Sequence, residues 1–329
     1  MFRVAVTPQD IVASRFAISP LIETMHALRT LDGRAEPGVH HQWLAKWRGP
    51  FAELERRHPA LRAIAVISGN MGPGNVDFIA PPPTGLSVPF EVELAAMRAT
   101  PVEQAHAEIA KVGVRPGWIR DLLLGPDVVQ VLADAFEALW TEIVSKKWPR
   151  FQAILEREVI MRAGQLATYG WARALDDISP HVRWRPEGII ELDLRSPDRD
   201  VSLDGRGLLF LPSVFDYRLG AFLSKEWPYA LVYPARGVAA PVPDSNSGLS
   251  GLIGRSRARI LTELAVPATT TQLAGLLGHS LGTAGGHVAA LRRAGLIAGT
   301  RTGRSVLYAR TPLGDALASP SAPLPSGRA

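Results

Sequence analysis

A stretch near the C-terminus constrains the fold more than any other part of the chain. Residues 269–278 have the pattern of a short amphipathic helix, and residues 281–293 that of a second helix beginning after Ser280. Residues 296–308 follow as two short strands around an arginine-containing turn. A helix, a tight turn, a second helix and a hairpin form the order of a winged helix-turn-helix, which the sequence therefore predicts for residues 251–318.

The second helix carries its apolar residues on one side. Ala284, Val288 and Leu291 recur at the spacing of a buried helical face, and the opposite face offers mainly glycine, threonine and alanine. In a winged helix-turn-helix this helix enters the DNA major groove, and basic side chains on the hairpin suit phosphate contacts. The residues expected to contact DNA are Thr271, Ser280, Gly282, Thr283, Gly285, Gly286, His287, Arg292, Arg301, Thr302 and Arg304. Because so bare a face has few side chains to read base edges, backbone contacts and DNA shape should weigh heavily. A packed or capping imidazole is the alternative for His287.

The charge of this region differs from that of the remainder. Residues 249–311 contain eight arginines, no lysine and one acid, Glu263, for a formal charge of +7. The whole chain carries +5, so the other residues sum to −2. A basic module beside a slightly acidic remainder is typical of a DNA-binding protein, although a solvated basic face would look the same.

Residues 276–297, LLGHSLGTAGGHVAALRRAGLI, with residues 303–308 and 311–315 after them, resemble the winged helix-turn-helix of ArsR-type bacterial repressors. The resemblance implies a transcriptional regulator, expected to be a repressor, that binds a pseudo-palindromic operator as a homodimer. Where family members place a serine toward DNA, this chain has Gly285. Members often sense metals through cysteines, and this chain has none.

Five phrases of the N-terminal part resemble the large domain fused to such modules in actinobacterial regulators. They are RFAISPLIE (15–23), DFIAPPP (77–83), MRATP (97–101), GRGLL (205–209) and LVYPARG (231–237). This resemblance implies an architecture and little chemistry.

The predicted fold class is α+β and predominantly helical. The expected domains are a large helical regulatory and dimerisation domain with a few short strands (1–240), a linker (241–250), the winged helix-turn-helix (251–318) and a disordered tail (319–329). Residues 126–175 have one long helical pattern that Trp148-Pro149 should kink or break, because proline removes a hydrogen-bond donor. A helix over residues 253–264 is expected to open the DNA-binding module.

Few residues favour catalysis or a metal. The chain has no cysteine, and His40-His41 are too close together to chelate from one helix face, so we expect no metal and no cofactor. No nucleophile and base can be paired, so the chain is not expected to be an enzyme, although a closed pocket with His or paired carboxylates would revive that interpretation.

All eight tryptophans precede the helix-turn-helix pattern. Most must serve the core, but some could line an apolar pocket for a small organic effector, for which the candidates are Trp43, Trp47, Trp140, Trp148 and Trp171. The alternative is that the N-terminal domain docks another protein or only dimerises. No apolar run approaches the roughly 20 residues needed to span a bilayer, so we expect no membrane partner and a cytoplasmic location.

Overall fold

The computed structural model describes residues 1–68, 76–176, 178–194, 199–215, 218–236, 247–303 and 305–318. The fold is α+β with more helix than strand, as the sequence predicts. The helices are α1 (Pro8–Ala13), α2 (Pro20–Leu31), α3 (His41–Arg57), α4 (Ala60–Ile67), α5 (Phe90–Arg98), α6 (Val102–Ile109), α7 (Trp118–Leu123), α8 (Val128–Glu142), α9 (Trp148–Asp176), α10 (Ser247–Ile253), α11 (Arg255–Glu263), α12 (Thr270–Leu277), α13 (Leu281–Arg293) and α14 (Pro312–Ala318). The strands are β1 (Phe2–Ala5), β2 (Arg15–Phe16), β3 (Val182–Arg185), β4 (Ile189–Leu192), β5 (Arg199–Ser202), β6 (Leu209–Ser213), β7 (Gly220–Phe222), β8 (Ala230–Pro234), β9 (Ala268–Thr269), β10 (Ile297–Thr302) and β11 (Ser305–Arg310).

The chain forms two compact units, each built from two separate segments. The first comprises residues 1–147 and 158–238, and the second comprises residues 148–157 and 239–329. The first ten residues of α9 therefore belong to the second unit, although the sequence assigns them to the N-terminal domain. Residues 247–250, which the sequence places in the linker, form part of α10, and the predicted tail lies outside the described residues.

Two small sheets organise part of the first unit. One has the strand order β3-β4-β1-β5, in which β1 pairs antiparallel with β4 and parallel with β5. The other has the order β2-β6-β8-β7, in which β6 and β8 are parallel. Their apolar side chains share one core that includes Phe2, Val4, Ile190, Leu231 and Tyr233.

Helix α2 is buried along its whole length, including its polar residues. Ser19 begins it by accepting a hydrogen bond from the amide of Ile22, and Glu93 on α5 accepts hydrogen bonds from the amide of Leu21 at 2.8 Å and from the Ser19 hydroxyl at 3.0 Å. A carboxylate at the N-terminus of a helix is a favourable partner for its free amides and dipole. These bonds connect the start of α2 to α5, which lies more than 70 positions along the chain.

The same helix connects to the end of β6. Glu23 accepts a hydrogen bond from the amide of Val214 at 3.1 Å, and the His26 ring nitrogen Nδ1 lies 3.0 Å from the Ser213 hydroxyl. His40 then bonds to the Val214 carbonyl through Nε2 at 2.7 Å. Buried polar groups are tolerated in a core when they are hydrogen-bonded in this way, so the polar residues of α2 fix its position.

The expected break at Trp148-Pro149 is confirmed, because α8 ends at Glu142 and α9 begins at Trp148. Proline in the first turn of a helix replaces an amide that would lack an intrahelical partner, so α9 can begin there. A second interruption, at Gly170 with φ 76° and ψ −175°, was not predicted.

The second unit contains a three-stranded antiparallel sheet of order β10-β11-β9 and helices that pack on a common core. Ile260, Leu261, Leu273, Val288 and Leu291 are among its buried residues. The single helix predicted over residues 253–264 is wrong in detail: α10 ends at Ile253 and α11 starts at Arg255. Gly254 between them has φ 83°, in the left-handed region that favours glycine.

Burial of Glu93 makes the stability of the first unit depend on pH. Burial raises the pKa of Glu93 from 4.5 to about 8, against the lowering effect of its hydrogen bonds from Leu21 and Ser19. The folded protein therefore holds a proton that the unfolded chain releases above about pH 4.5. We expect the free energy of unfolding to fall as pH rises from about 4.5 to about 8 and this dependence to end above that range. Urea titrations at a series of pH values should show a shallower dependence for Glu93→Gln than for the unmodified chain; the same dependence in both would contradict the assignment.

Candidate nucleic-acid interface

Helix α12 and the turn after it are fixed by local sequence signals. Thr269 and Gln272 form a reciprocal capping box at the start of α12, and Gly278 ends the helix in the left-handed conformation with φ 68°. Ser280 then caps α13 by accepting from the amide of Thr283 at 3.2 Å, and its hydroxyl lies 2.9 Å from the Thr283 hydroxyl. Two of the predicted DNA-contacting residues, Ser280 and Thr283, are therefore adjacent and exposed at the N-terminus of α13.

Helix α13 has two distinct faces, as its sequence pattern predicts. Ala284, Val288 and Leu291 are buried in the core of the unit. The remaining predicted contacts on α13 follow the opposite side and the end of the helix: Gly282, Thr283, Gly286 and Arg292 are exposed, while Gly285 and His287 are half-buried. Thr271, in the first turn of α12, is also exposed.

The glycines of α13 are not required by packing within the chain. A Cβ added at Gly282 or Gly286 would meet no heavy atom within 4 Å, and one at Gly285 would lie 3.9 Å from Cγ2 of Thr270, an ordinary contact. Each glycine inside a helix costs about 1 kcal/mol relative to alanine. Since nothing in the described fold fills the vacant space, these glycines leave the α13 backbone accessible from outside the protein.

The hairpin of β10 and β11 presents polar and basic residues. Arg301 and Thr302 are exposed at the end of β10, and Gly303 follows with φ 60° at the turn. Arg304 lies outside the described residues. The hairpin register pairs Arg301 with Val306 and Thr302 with Ser305.

The arginines of the second unit fall into two groups. Arg310 is used internally, because it donates to the carbonyls of Leu261 and Thr262, each at 2.6 Å. Other arginines are exposed, namely Arg255, Arg257, Arg292, Arg293 and Arg301. Three of these, Arg255, Arg257 and Arg293, are absent from the predicted set of DNA contacts, although the run of basic residues around α11 is visible in the sequence.

Two histidines come together beside α13. The rings of His279, in the turn, and His287, on the helix, have centroids 6.1 Å apart. Nε2 of His279 is buried and makes no hydrogen bond with the described residues. The described residues contain no cluster of three or more His, Asp or Glu side chains able to hold a metal ion.

The five tryptophans proposed for an effector pocket have different surroundings. Trp43 packs against Phe215 with ring centroids 5.0 Å apart, and Trp140 stacks on Phe90 at 4.5 Å. Trp171 packs on the sheet core, against Phe210 and Trp184.

Trp47 is half-buried in α3, and its indole Nε1 is buried without a hydrogen-bond partner among the described residues. Trp148 is grouped with the second unit. The described ring contacts therefore give Trp43, Trp140 and Trp171 an aromatic packing role each and do not join them to one another.

A set of residues on α9 was missed by the sequence interpretation. Arg150, Glu156 and Arg157 belong to the second unit and make polar contacts with α11, α12 and the segment after α11. Their spacing marks one helical face, but the sequence gives no sign of which distant helices that face contacts.

Comparisons with protein-family models, curated proteins and solved structures each returned no match. The similarity to ArsR-type repressors therefore rests on this chain's own residues. No helix in the described part of the chain combines the length and apolarity required to traverse a membrane.

Two glycine substitutions in the second unit should have opposite effects. Gly286→Ala should raise the free energy of unfolding by about 1 kcal/mol, because alanine favours the helix and its methyl group meets nothing. Gly275→Ala, in α12, should lower it by about 1–3 kcal/mol, because a Cβ there would lie 2.5 Å from the Pro149 carbonyl oxygen. Denaturant titration of both variants measures the difference. A loss of stability in Gly286→Ala would show that this glycine has a packing role.

Proposed function

We propose that this protein is a DNA-binding transcriptional regulator and that its second unit is a winged helix-turn-helix. The observation that carries the proposal is the outer face of α13, where Gly282 and Gly286 leave the backbone open and exposed arginines follow at the end of the helix. A fold that gives up helix stability at an exposed surface without an internal packing reason is suited to the close approach of a partner. The basic charge of the region makes DNA the partner that fits best.

In this proposal α13 enters the major groove and the hairpin lies along the adjacent backbone. Ser280 and Thr283 at the N-terminus of α13 offer short hydroxyl groups, and Arg292 and Arg301 offer long cationic side chains. The arginines supply affinity through phosphates, while sequence preference comes from backbone proximity, the two hydroxyls and DNA shape. Repression by occupying an operator is the mode of action that the ArsR resemblance favours.

A homodimer follows from the same proposal, because two copies of a reader with so few base contacts are needed for a selective site. An exposed uncharged face on α9 supports this part. Ile160, Ala163, Gly164 and Ala167 recur at helical spacing and are exposed, and the one charged residue among them, Arg162, is buried in an ion pair with Glu158 at 2.7 Å. Two copies of an uncharged face can pair without like-charge repulsion, so we propose this apolar face of α9 as part of the dimer interface.

The first unit is proposed to bind a small organic effector that alters DNA binding. The environment of Trp43 supports an aromatic ligand most directly, since His40, Trp43 and Phe215 cluster with ring centroids 4.6 and 5.0 Å apart. The alternative function for this unit is protein docking, and the exposed apolar face of α9 is the observation that favours it.

Loss of a surface arginine tests DNA binding. Genomic footprinting with the full-length chain supplies the DNA site, and fluorescence anisotropy across a salt series then compares the unmodified chain with Arg301→Ala. We expect the variant to bind every duplex more weakly and the slope of log K against log[salt] to fall by about 0.9, as for one lost phosphate contact.

The matched control is Arg173→Ala, an exposed arginine of the first unit, which should leave affinity and slope unchanged. Sedimentation of the complex should show two chains on each site. Failure of the unmodified chain to bind any duplex would rule out the proposed function.

A thermal-shift screen of small aromatic compounds distinguishes sensing from docking. We expect a compound that raises the melting temperature to release the footprinted duplex as well, because a ligand that binds one state preferentially shifts the equilibrium between states. Trp43→Phe should reduce the shift, whereas Trp118→Phe, an exposed control, should not. Compounds that stabilise the protein without affecting DNA binding would argue against an effector role.

A further inference from the structure

The segment Trp148–Arg157 at the start of α9 belongs to the same unit as the proposed DNA reader but lies about a hundred residues before it in the chain. Its contacts come from one helical face, because Pro149, Arg150, Ala153, Glu156 and Arg157 recur at three- and four-residue intervals. We call these five residues the α9 clamp. Each of them meets α12 or the C-terminal end of α11, as the following contacts show.

At one end of α12 the clamp satisfies a helix C-terminus. The Arg150 guanidinium donates to the carbonyl of Leu276, in the last turn of α12. The last carbonyls of a helix have no intrahelical donor and carry the negative end of its dipole, so a guanidinium there is doubly favourable.

At the other end of α12 the clamp joins the capping box. Glu156 accepts from Gln272 Nε2 at 3.1 Å, and Gln272 Oε1 accepts from the amide of Thr269 at 2.9 Å. Gln152 also donates to Glu156, at 2.9 Å, which orients the carboxylate. The side chain that caps α12 is therefore itself held from α9.

Between these two ends the backbones approach closely. A Cβ at Gly275 would lie 2.5 Å from the Pro149 carbonyl oxygen and 3.4 Å from the Ala153 methyl group. Only glycine fits this approach, so α12 is held at its start, its middle and its end.

Arg157 makes the equivalent connection to α11. Its guanidinium donates to the Glu263 carboxylate at 2.8 Å and to the Glu263 carbonyl at 2.6 Å, at the C-terminal end of α11. The two helices that pack behind α13 thus receive a guanidinium at their C-terminal ends from the same face of α9.

We propose that the α9 clamp is a positioning element of the DNA reader: it fixes α12, and through the short turn at Gly278 it sets the presentation of α13. The inference rests on the proposed DNA binding and adds residues to it that touch no DNA. Arg150 and Glu156 are positioning residues in this scheme, and loss of either should affect DNA binding although both lie outside residues 251–318.

The experiment uses the full-length chain with Arg150→Met, Arg150→Lys and Glu156→Ala, and Arg173→Met as the matched control on the same helix. Three quantities are measured: the melting temperature, hydrogen exchange of the α12 amides, and the affinity for the footprinted duplex across a salt series. We expect Arg150→Met and Glu156→Ala to speed α12 exchange and to weaken DNA binding by about tenfold each, the loss of one charge-assisted hydrogen bond.

The salt dependence separates positioning from direct contact. A positioning residue leaves the slope of log K against log[salt] unchanged, whereas loss of a phosphate contact lowers it by about 0.9. Arg150→Lys should restore part of the affinity, because its ammonium group can still donate to the Leu276 carbonyl. Arg173→Met should match the unmodified chain throughout.

The outcomes are distinguishable. Unchanged affinity and unchanged α12 exchange in both clamp variants would overturn the clamp and leave the proposed function intact, and a reduced salt slope in Arg150→Met would overturn it in favour of direct phosphate contact. If Arg150→Met lowers the melting temperature strongly, Glu156→Ala and the lysine variant decide. If the unmodified chain binds no DNA, the proposed function fails, and the exchange rates alone decide whether the clamp orders α12.

Discussion

The first unit depends on the satisfaction of polar groups along one buried helix. Helix α2 is enclosed along its whole length and brings Glu23, His26 and Thr30 into the core with its apolar residues. An unpartnered buried polar group costs about 1–3 kcal/mol, so such a helix is stable only where its surroundings provide partners. Glu93 at its start and the end of β6 along its length provide them. The helical layer and the sheet are therefore joined by hydrogen bonds whose geometry is more specific than apolar packing alone.

The second unit uses one residue type for opposite purposes. Gly275 is required because the backbone of α9 approaches it, whereas Gly286 has empty space where its side chain would be. The first glycine stabilises an internal contact, and the second leaves a surface free at the expense of helix stability. The distinction depends on what surrounds each residue, and composition alone gives no indication of it.

Local signals in the sequence were sufficient for much of this architecture. The capping residue Ser280, the helix-ending Gly278 and the break at Trp148-Pro149 act within a few residues, so their consequences can be read from the chain directly. The α+β class and the apolar face of α13 follow from periodicity for the same reason. The division between α10 and α11 was missed because Gly254 lies within a pattern that is otherwise compatible with one helix.

Non-local contacts could not be inferred in the same way. Arg150 has the sequence environment of an ordinary solvent-facing helical residue, and its partner Leu276 is 126 positions away. The surroundings of the tryptophans were equally inaccessible, because the partners of Trp43 and Trp171 come from distant segments such as Phe215 and Phe210. The glycine face of α13 could be predicted, but whether its glycines are needed for packing required the positions of their neighbours.

The origin of the second unit in two separated segments has a consequence for modularity. A gene segment encoding residues 251–318 alone would leave the Pro149 and Arg150 contacts with α12 behind. Recombination that joins such a segment to a new partner would transfer the recognition helix without the residues that brace the helix behind it. Chimeric regulators built from this chain should therefore carry both segments, and the order in which a ribosome produces them means that the brace is made well before the part it supports.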